Sequence, residues 1–252
     1  MTDPLLGALL LFGVGLVAGV VNVIAGGGSF LTVPVLIFLG LPATVANGTN
    51  RLAIITQNVG AVWSFGRKGL ISREWLAIGA PASVLGALIG TFGAVRIGDL
   101  AFQRVLAVMM VSLTVWTLWK PMPQVRDAQS APPTGSRRAA FIAGFFVVGL
   151  YGGFIQAGVG FLMLALTSAG GLDLIRGNAV KVTLALLFTP LTLVVFAASG
   201  KVDWPMAMSL AAGNYFGGLV GVHVQVLKGH VWVRNVVTAT IVVFAVRLLV
   251  GG

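Results

Sequence analysis

The chain has no cysteine, two histidines and six acids, and only 9% of its 252 residues are charged. Without cysteine there is no disulfide, no thiolate nucleophile and no Cys-ligated metal. The histidines, His223 and His230, have no carboxylate at ligand spacing, so no metal site is expected. No basic n-region or small-residue cleavage site opens the chain, which reads Met1-Thr2-Asp3-Pro4 before turning apolar; the first apolar segment is expected to be retained. The shortage of charge is the decisive absence. A soluble domain carries about a quarter charged residues, whereas this chain is 58% hydrophobic with a mean hydropathy of +1.01. That excludes a soluble globular protein and places the chain in lipid.

Sixteen Lys and Arg against the six acids give a formal charge of +10. In a soluble protein that surplus would suggest nucleic acid. In a membrane protein it follows from basic cytoplasmic loops, so no nucleic-acid partner is expected.

Apolar runs separated by Gly, Pro and charge lie at 5–24, 29–40, 43–66, 74–95 and 101–119, then at 139–156, 159–170, 177–198, 204–226 and 232–250. A span needs about 20 residues, so the runs at 29–40 and 159–170 are short. The pattern predicts an all-α polytopic membrane protein with eight to ten membrane segments. It has two homologous repeats, each of four long helices and one short or broken one: residues 1–119 and 139–252, joined by a Pro-rich cytoplasmic linker at 120–138. Gly69 pairs with Gly200, Gly86 with Gly217 and Gly90 with Gly221 at an offset of 131. Arg51 pairs with Lys181 at 130, and the glycines after Ala25 pair with those after Ala157 at 132. The same order over so long a stretch points to an internal duplication.

If each short run returns across the membrane, the second repeat is inverted. Ten cations, among them Arg67, Lys68, Arg73, Arg137, Arg138 and Arg176, then share the linker's side, against Arg96, Arg104, Lys201 and Arg247. If the short runs only dip in, the repeats are parallel and the balance is nine to five. The positive-inside rule favours the inverted order.

Interrupted apolar segments at matching positions are the best pointer to a transporter site, because broken helices expose backbone groups. Asn22-Val23-Ile24-Ala25-Gly26-Gly27-Gly28-Ser29 is one break and Gln156-Ala157-Gly158-Val159-Gly160 the other. Bare N–H groups at a helix start favour an anion. Arg51 and Lys181 lie inside apolar runs near Asn47, Asn50 and Asn178, and all six acids lie in loops or at segment ends. A buried cation needs a partner. A transported anion fits that need, as do backbone carbonyls or water. For Gln57 and Asn58, interhelical hydrogen bonding fits as well as substrate contact. His223 is read as interfacial, with proton carriage as the alternative.

Asn22 to Ser29, Ala46-Asn47-Gly48-Thr49-Asn50-Arg51, Gln57-Asn58, Gly177-Asn178-Ala179-Val180-Lys181 and Gly200-Lys201-Val202-Asp203-Trp204 together resemble the TauE/SafE (TSUP) family of sulfite exporters. The resemblance covers nearly the whole chain outside the linker. It implies a prokaryotic inner-membrane permease, a duplicated fold, and sulfur oxyanions or small organosulfur and carboxylate anions as substrates.

The expected function is export of a small anion by alternating access, most simply sulfite or a related sulfonate. Arg51, Lys181, Asn22, Gly27, Gly28, Ser29, Asn50, Gln156, Gly158, Gly160 and Asn178 form the expected binding set. An anion-selective channel of the same fold is the alternative. An enzyme with Ser29 as nucleophile lacks a base at any recognisable spacing, so the chain is read as a non-enzyme without cofactor. Its Gly-rich helix faces suit internal packing and a homodimer equally well.

Overall fold

The computed structural model of the chain describes the backbone of residues 4–119 and 133–250, and the side chains of 5–112, 115 and 133–227. Among the described residues there are nine helices and no strand. They are α1 (Pro4–Ile24), α2 (Ser29–Phe38), α3 (Ala43–Arg67), α4 (Arg73–Arg96), α5 (Asp99–Trp119), α6 (Gly135–Ile155), α7 (Val159–Ala169), α8 (Leu174–Ala198) and α9 (Trp204–Val250). Helices are what an apolar backbone must form where water cannot satisfy its N–H and C=O groups. Residues 120–132 of the predicted linker lie outside the described residues; from Gly135 the remainder is the first turn of α6.

Four helices, α1, α4, α6 and α8, are long and apolar enough to cross a membrane by length and composition. The molecule is apolar outside and polar within. Leu5 is 67% exposed and Val194 66%, whereas Asn47, Asn50, Arg51, Gln57, Asn58, Asn178 and Thr192 are buried. Those inward residues lower the apolar content of α3, whose polar side chains face the protein interior rather than lipid.

The short helices α2 and α7 have 10 and 11 residues. At about 1.5 Å per residue they reach halfway through the roughly 30 Å hydrocarbon layer. Gly28 lies against the Ala18 carbonyl and the Asn22 side chain. The chain therefore doubles back after α1, and α2 returns toward the end of the bundle where α3 begins.

Elements recur at a nearly constant spacing. α2 and α7 start at Ser29 and Val159, α3 and α8 at Ala43 and Leu174, and α4 and α9 at Arg73 and Trp204. Gly40 and Gly171, both at φ 98°, and Gly69 and Gly200, at 65° and 67°, flank α3 and α8. The α2 and α7 starts are 130 residues apart and the other pairs 131, so by the spacing of α3 and α8 Lys181 is in helical register with Asn50, one residue from the pairing with Arg51. α1 runs in the same direction as α9, with Gly19 on Asn214 and Gly221 on Val20, while α6 runs with α4, with Gly149 on Ser83 and Gly153 on Ala87. α3 and α8 cross antiparallel: Gly48 lies on Phe196, while Phe65 shares a cluster with Ala179 and Val182.

The two runs at 204–226 and 232–250 form one helix of 47 residues. The single glycine between them, Gly229, costs only about 1 kcal/mol in a helix, too little to force a loop.

Helix contact here rests on the absence of side chains. A Cβ on Gly90 or Gly153 would overlap the backbone of Leu150 or Ala87, whereas one on Gly13 would meet nothing within 4 Å. Gly153→Ala is expected to lower the detergent unfolding midpoint by several degrees and Gly13→Ala to leave it unchanged, since forced overpacking costs about 1–3 kcal/mol. Equal midpoints would show that α4 and α6 do not touch at this point.

Candidate functional site

The two breaks meet at the centre of the molecule. Gly26 and Gly160 stand in backbone contact, so close that a Cβ on either would overlap the other. Beside this crossing is a cavity of about 20 Å³, room for about one water molecule. Its polar lining comes from Asn22 of α1, Ser29 of α2, Gln57 and Asn58 of α3, Gln156 of the second break and Lys181 of α8. Apolar walls are supplied by Ile54, Val159, Met163, Val182 and Ala185. The first turns of both short helices, at Ser29 and at Val159 and Gly160, border it, and such ends carry the positive pole of the helix.

The opposite pole belongs to α1 and α6, whose final carbonyls end inside the protein. Unpaired carbonyls there would be costly, and each set is met by side chains from the other half of the chain. Lys181 Nζ donates to Asn22 O at 2.8 Å and Val23 O at 2.9 Å, and Asn178 Nδ2 to Ile24 O at 3.0 Å. Arg51 Nη2 donates to Gly153 O at 2.5 Å and both of its Nη atoms approach Gly152 O at 3.4 Å. Asn47 Nδ2 donates to Phe154 O at 2.9 Å. Arg51 Nη1 also reaches Thr192 Oγ1 at 2.7 Å and Gln156 Oε1 at 3.1 Å, and its guanidinium lies 4.4 Å from the centroid of the Phe196 ring. Cations at helix C-termini are stabilising in themselves.

The two cations therefore differ in what remains of them. Arg51 is 0% exposed and does not border the cavity, though its Nε has no hydrogen-bond partner among the described residues. Lys181 borders the cavity. An ammonium has three N–H donors, and two are engaged with the α1 carbonyls.

A chain of amides lines the cavity. Asn22 Nδ2 donates to Gln57 Oε1 at 3.1 Å and Gln57 Nε2 to Asn58 Oδ1 at 3.2 Å. Asn58 Nδ2 has no partner among the described residues. Asn50 braces α2 from behind: its Nδ2 donates to Ser29 Oγ at 3.0 Å, and its Oδ1 accepts from Thr32 at 2.7 Å.

Gln156 follows α6 at φ 47° and ψ −42°, and Ala157 N donates to Ile155 O across it. This is the γ-turn with its central residue at positive φ, the rarer and more strained kind, costing about 1–3 kcal/mol. Tyr151 Oη holds the turn by donating to Ala157 O at 2.6 Å.

Of the residues expected from sequence, Asn22, Ser29, Gln156, Gly160 and Lys181 border the cavity. Arg51, Asn50 and Asn178 sit behind it on the contacts above. Gly27 lies under the Phe161 ring and Gly28 against α1, while Gly158, at φ 80°, starts α7. For Gln57 and Asn58, interhelical hydrogen bonding and substrate contact were equally open; both line the cavity, and Gln57 also accepts an interhelical bond from Asn22. As neighbours on one helix they do not show a common face by spacing, yet both are buried and border the cavity. Thr192, whose Oγ1 accepts from Arg51, has a role that no sequence pattern marked. His223 is exposed and does not border the cavity.

Comparison with known proteins agrees on family and coverage. The family described as "Sulfite exporter TauE/SafE" matches residues 11–248. A "Probable membrane transporter protein" of Haemophilus influenzae is 26% identical over 232 residues, covering 90% of this chain and 89% of its own. The "Probable membrane transporter protein YfcA" of Escherichia coli is 26% identical over 250 residues, covering 99% and 91%, respectively. The "Probable membrane transporter protein YunE" of Bacillus subtilis is 26% identical over 271, covering 96% and 95%. No solved structure matches the chain.

The geometry separates the cations experimentally. Arg51→Met would leave Gly152 O, Gly153 O, Gln156 Oε1 and Thr192 Oγ1 without this donor, at about 1–3 kcal/mol for each group left unsatisfied. Lys181→Met would withdraw a donor from two carbonyls. Thermal unfolding in detergent is expected to show the larger loss for Arg51→Met. A smaller loss than for Lys181→Met would mean that the guanidinium does not secure the end of α6.

Proposed function

The chain belongs to the sulfite exporter TauE/SafE family, and from that premise we propose that this multi-pass membrane protein exports a small oxyanion, sulfite or a related organosulfonate. The export route runs through the cavity at the crossing of its two broken helices. The observation that carries the reading is Lys181: a buried ammonium beside Ser29, Asn58 and Gln156, at the positive ends of α2 and α7. The substrate's charge would rest on Lys181, with side-chain and first-turn donors completing its shell. Arg51, Asn50 and Asn178 hold the elements that carry that shell.

The cavity's small volume supports a carrier rather than an open channel. A substrate larger than water needs the helices to part around it, as alternating access requires. The antiparallel crossing of α3 and α8, with α1 and α6 starting at opposite ends of the bundle, supports inverted repeats. Where α3 ends and α8 begins, the bundle carries Arg67, Lys68, Arg73, Arg137, Arg138 and Arg176, and the positive-inside rule makes that end cytoplasmic. In a prokaryotic inner membrane the potential drives an anion outward by about 2.3 kcal/mol per charge per 100 mV, so export needs no coupled ion. Ser29 accepts from Asn50, and among the described residues no histidine or lysine base is bonded to it, which supports transport over catalysis.

In proteoliposomes, labelled sulfite, thiosulfate, sulfate and small sulfonates should divide into moved and unmoved anions. Movement is expected to saturate, to accelerate with an imposed potential and to fall at least tenfold in Lys181→Ala. Fast, non-saturating current would make the protein a channel, and wild-type flux in Lys181→Ala would remove the cation from the site.

A further inference from the structure

Gln156 stands where glycine would be easier. Among the described residues it is the one non-glycine at positive φ. A side chain kept at a point of backbone strain has a use that outweighs the strain. Its surroundings define that use. The Arg51 guanidinium carries only donors, so its 3.1 Å contact is to the Gln156 oxygen. The same contact turns the Gln156 NH₂ away from Arg51, and the residue borders the cavity. Asn58 borders it from α3, is 1% exposed, gives its oxygen to Gln57 and leaves Nδ2 without a partner among the described residues.

We propose that Gln156 and Asn58 are an oxyanion-selecting pair, two neutral amide donors that bind separate oxygens of a small anion whose charge rests on Lys181. The proposal rests on the reading of the cavity as an anion site. Arg51 is then a positioning residue, acting on the substrate only by fixing the Gln156 amide. Two donors reaching into the cavity from different elements suit an anion with several acceptor oxygens. A halide must take both donors at one centre, whereas an oxyanion offers each its own oxygen, and a buried donor left unpaired is penalised. The pair therefore selects sulfite-like or sulfonate oxyanions over chloride, which a lone ammonium would accept equally well.

The test is ligand-dependent thermal unfolding of the purified full-length protein in detergent. Sulfite, thiosulfate, methanesulfonate and chloride would be compared at equal ionic strength for wild type, Gln156→Gly and Asn58→Leu. At least one oxyanion is expected to raise the wild-type midpoint and chloride to leave it unchanged. Without ligand, Gln156→Gly should unfold at or above the wild-type temperature, because glycine relieves the strained turn. It should nevertheless need at least tenfold more oxyanion for the same shift, as should Asn58→Leu. An unchanged oxyanion response in Gln156→Gly, a chloride shift equal to the oxyanion's, or no shift with any oxyanion would overturn the pair. Proteoliposomes that fail to move an anion whose thermal shift depends on Gln156 would overturn the carrier reading alone and leave the pair standing.

Discussion

Two helices end inside this protein, and everything around the cavity follows from the need to satisfy their last carbonyls where no bulk water reaches. A helix that ends at a membrane surface gives these groups to water; α1 and α6 cannot. The chain meets the demand with Lys181 and Asn178 for α1, and with Arg51 and Asn47 for α6. A cation serves better than a neutral donor, because it answers both the missing hydrogen bonds and the negative helix pole. The polar residues of α3 and α8 face inward for the same reason. An otherwise apolar chain can thereby carry two charges at its centre with no acid paired to either among the described residues.

The large elements were legible in the sequence because lipid enforces them. Apolar runs bounded by Gly, Pro and charge gave helix limits within a few residues for α1 to α5, α7 and α8. Predicting the start of α6 at 139 was late by one turn, because Arg137 and Arg138 read as linker when they are exposed residues of the first helical turn. The break at 227–234 was expected from Lys228, Gly229 and Arg234, yet charge beside one glycine does not end a helix.

The site was legible in part. The glycine breaks and the two cations were visible as departures from an apolar background, and they do lie at the centre. What charge alone does not give is direction. Arg51 and Lys181 look alike in composition, yet Arg51 is engaged with the end of α6, Thr192 and Gln156 away from the cavity, and Lys181 borders it. Gln57 and Asn58 were harder, since neighbouring amides on one helix read as glue until the tertiary crossing sets which wall they form.

The same contacts constrain how the site can open. Both helix-end clamps join opposite halves of the sequence, and so do the glycine seams, α1 with α9 and α4 with α6. Separating residues 1–119 from 139–252 as two rigid bodies would therefore break all four at once, with several buried carbonyls stranded at about 1–3 kcal/mol each. α1 packs chiefly on α9 and α6 on α4, while α3 and α8 bridge these pairs: α3 packs on α9 and α8, and α8 on α3 and α4. Motion that keeps both glycine seams closed strains the clamps, Lys181 on α1 and Arg51 on α6, together with the α3 and α8 crossing, the Gly26 and Gly160 contact and the Asn178–Gln225 hydrogen bond. On the proposed reading, Lys181 secures the end of α1 through two of its three N–H donors and meets the anion with the same nitrogen atom, so a single buried charge would link occupancy of the cavity to the position of that helix end.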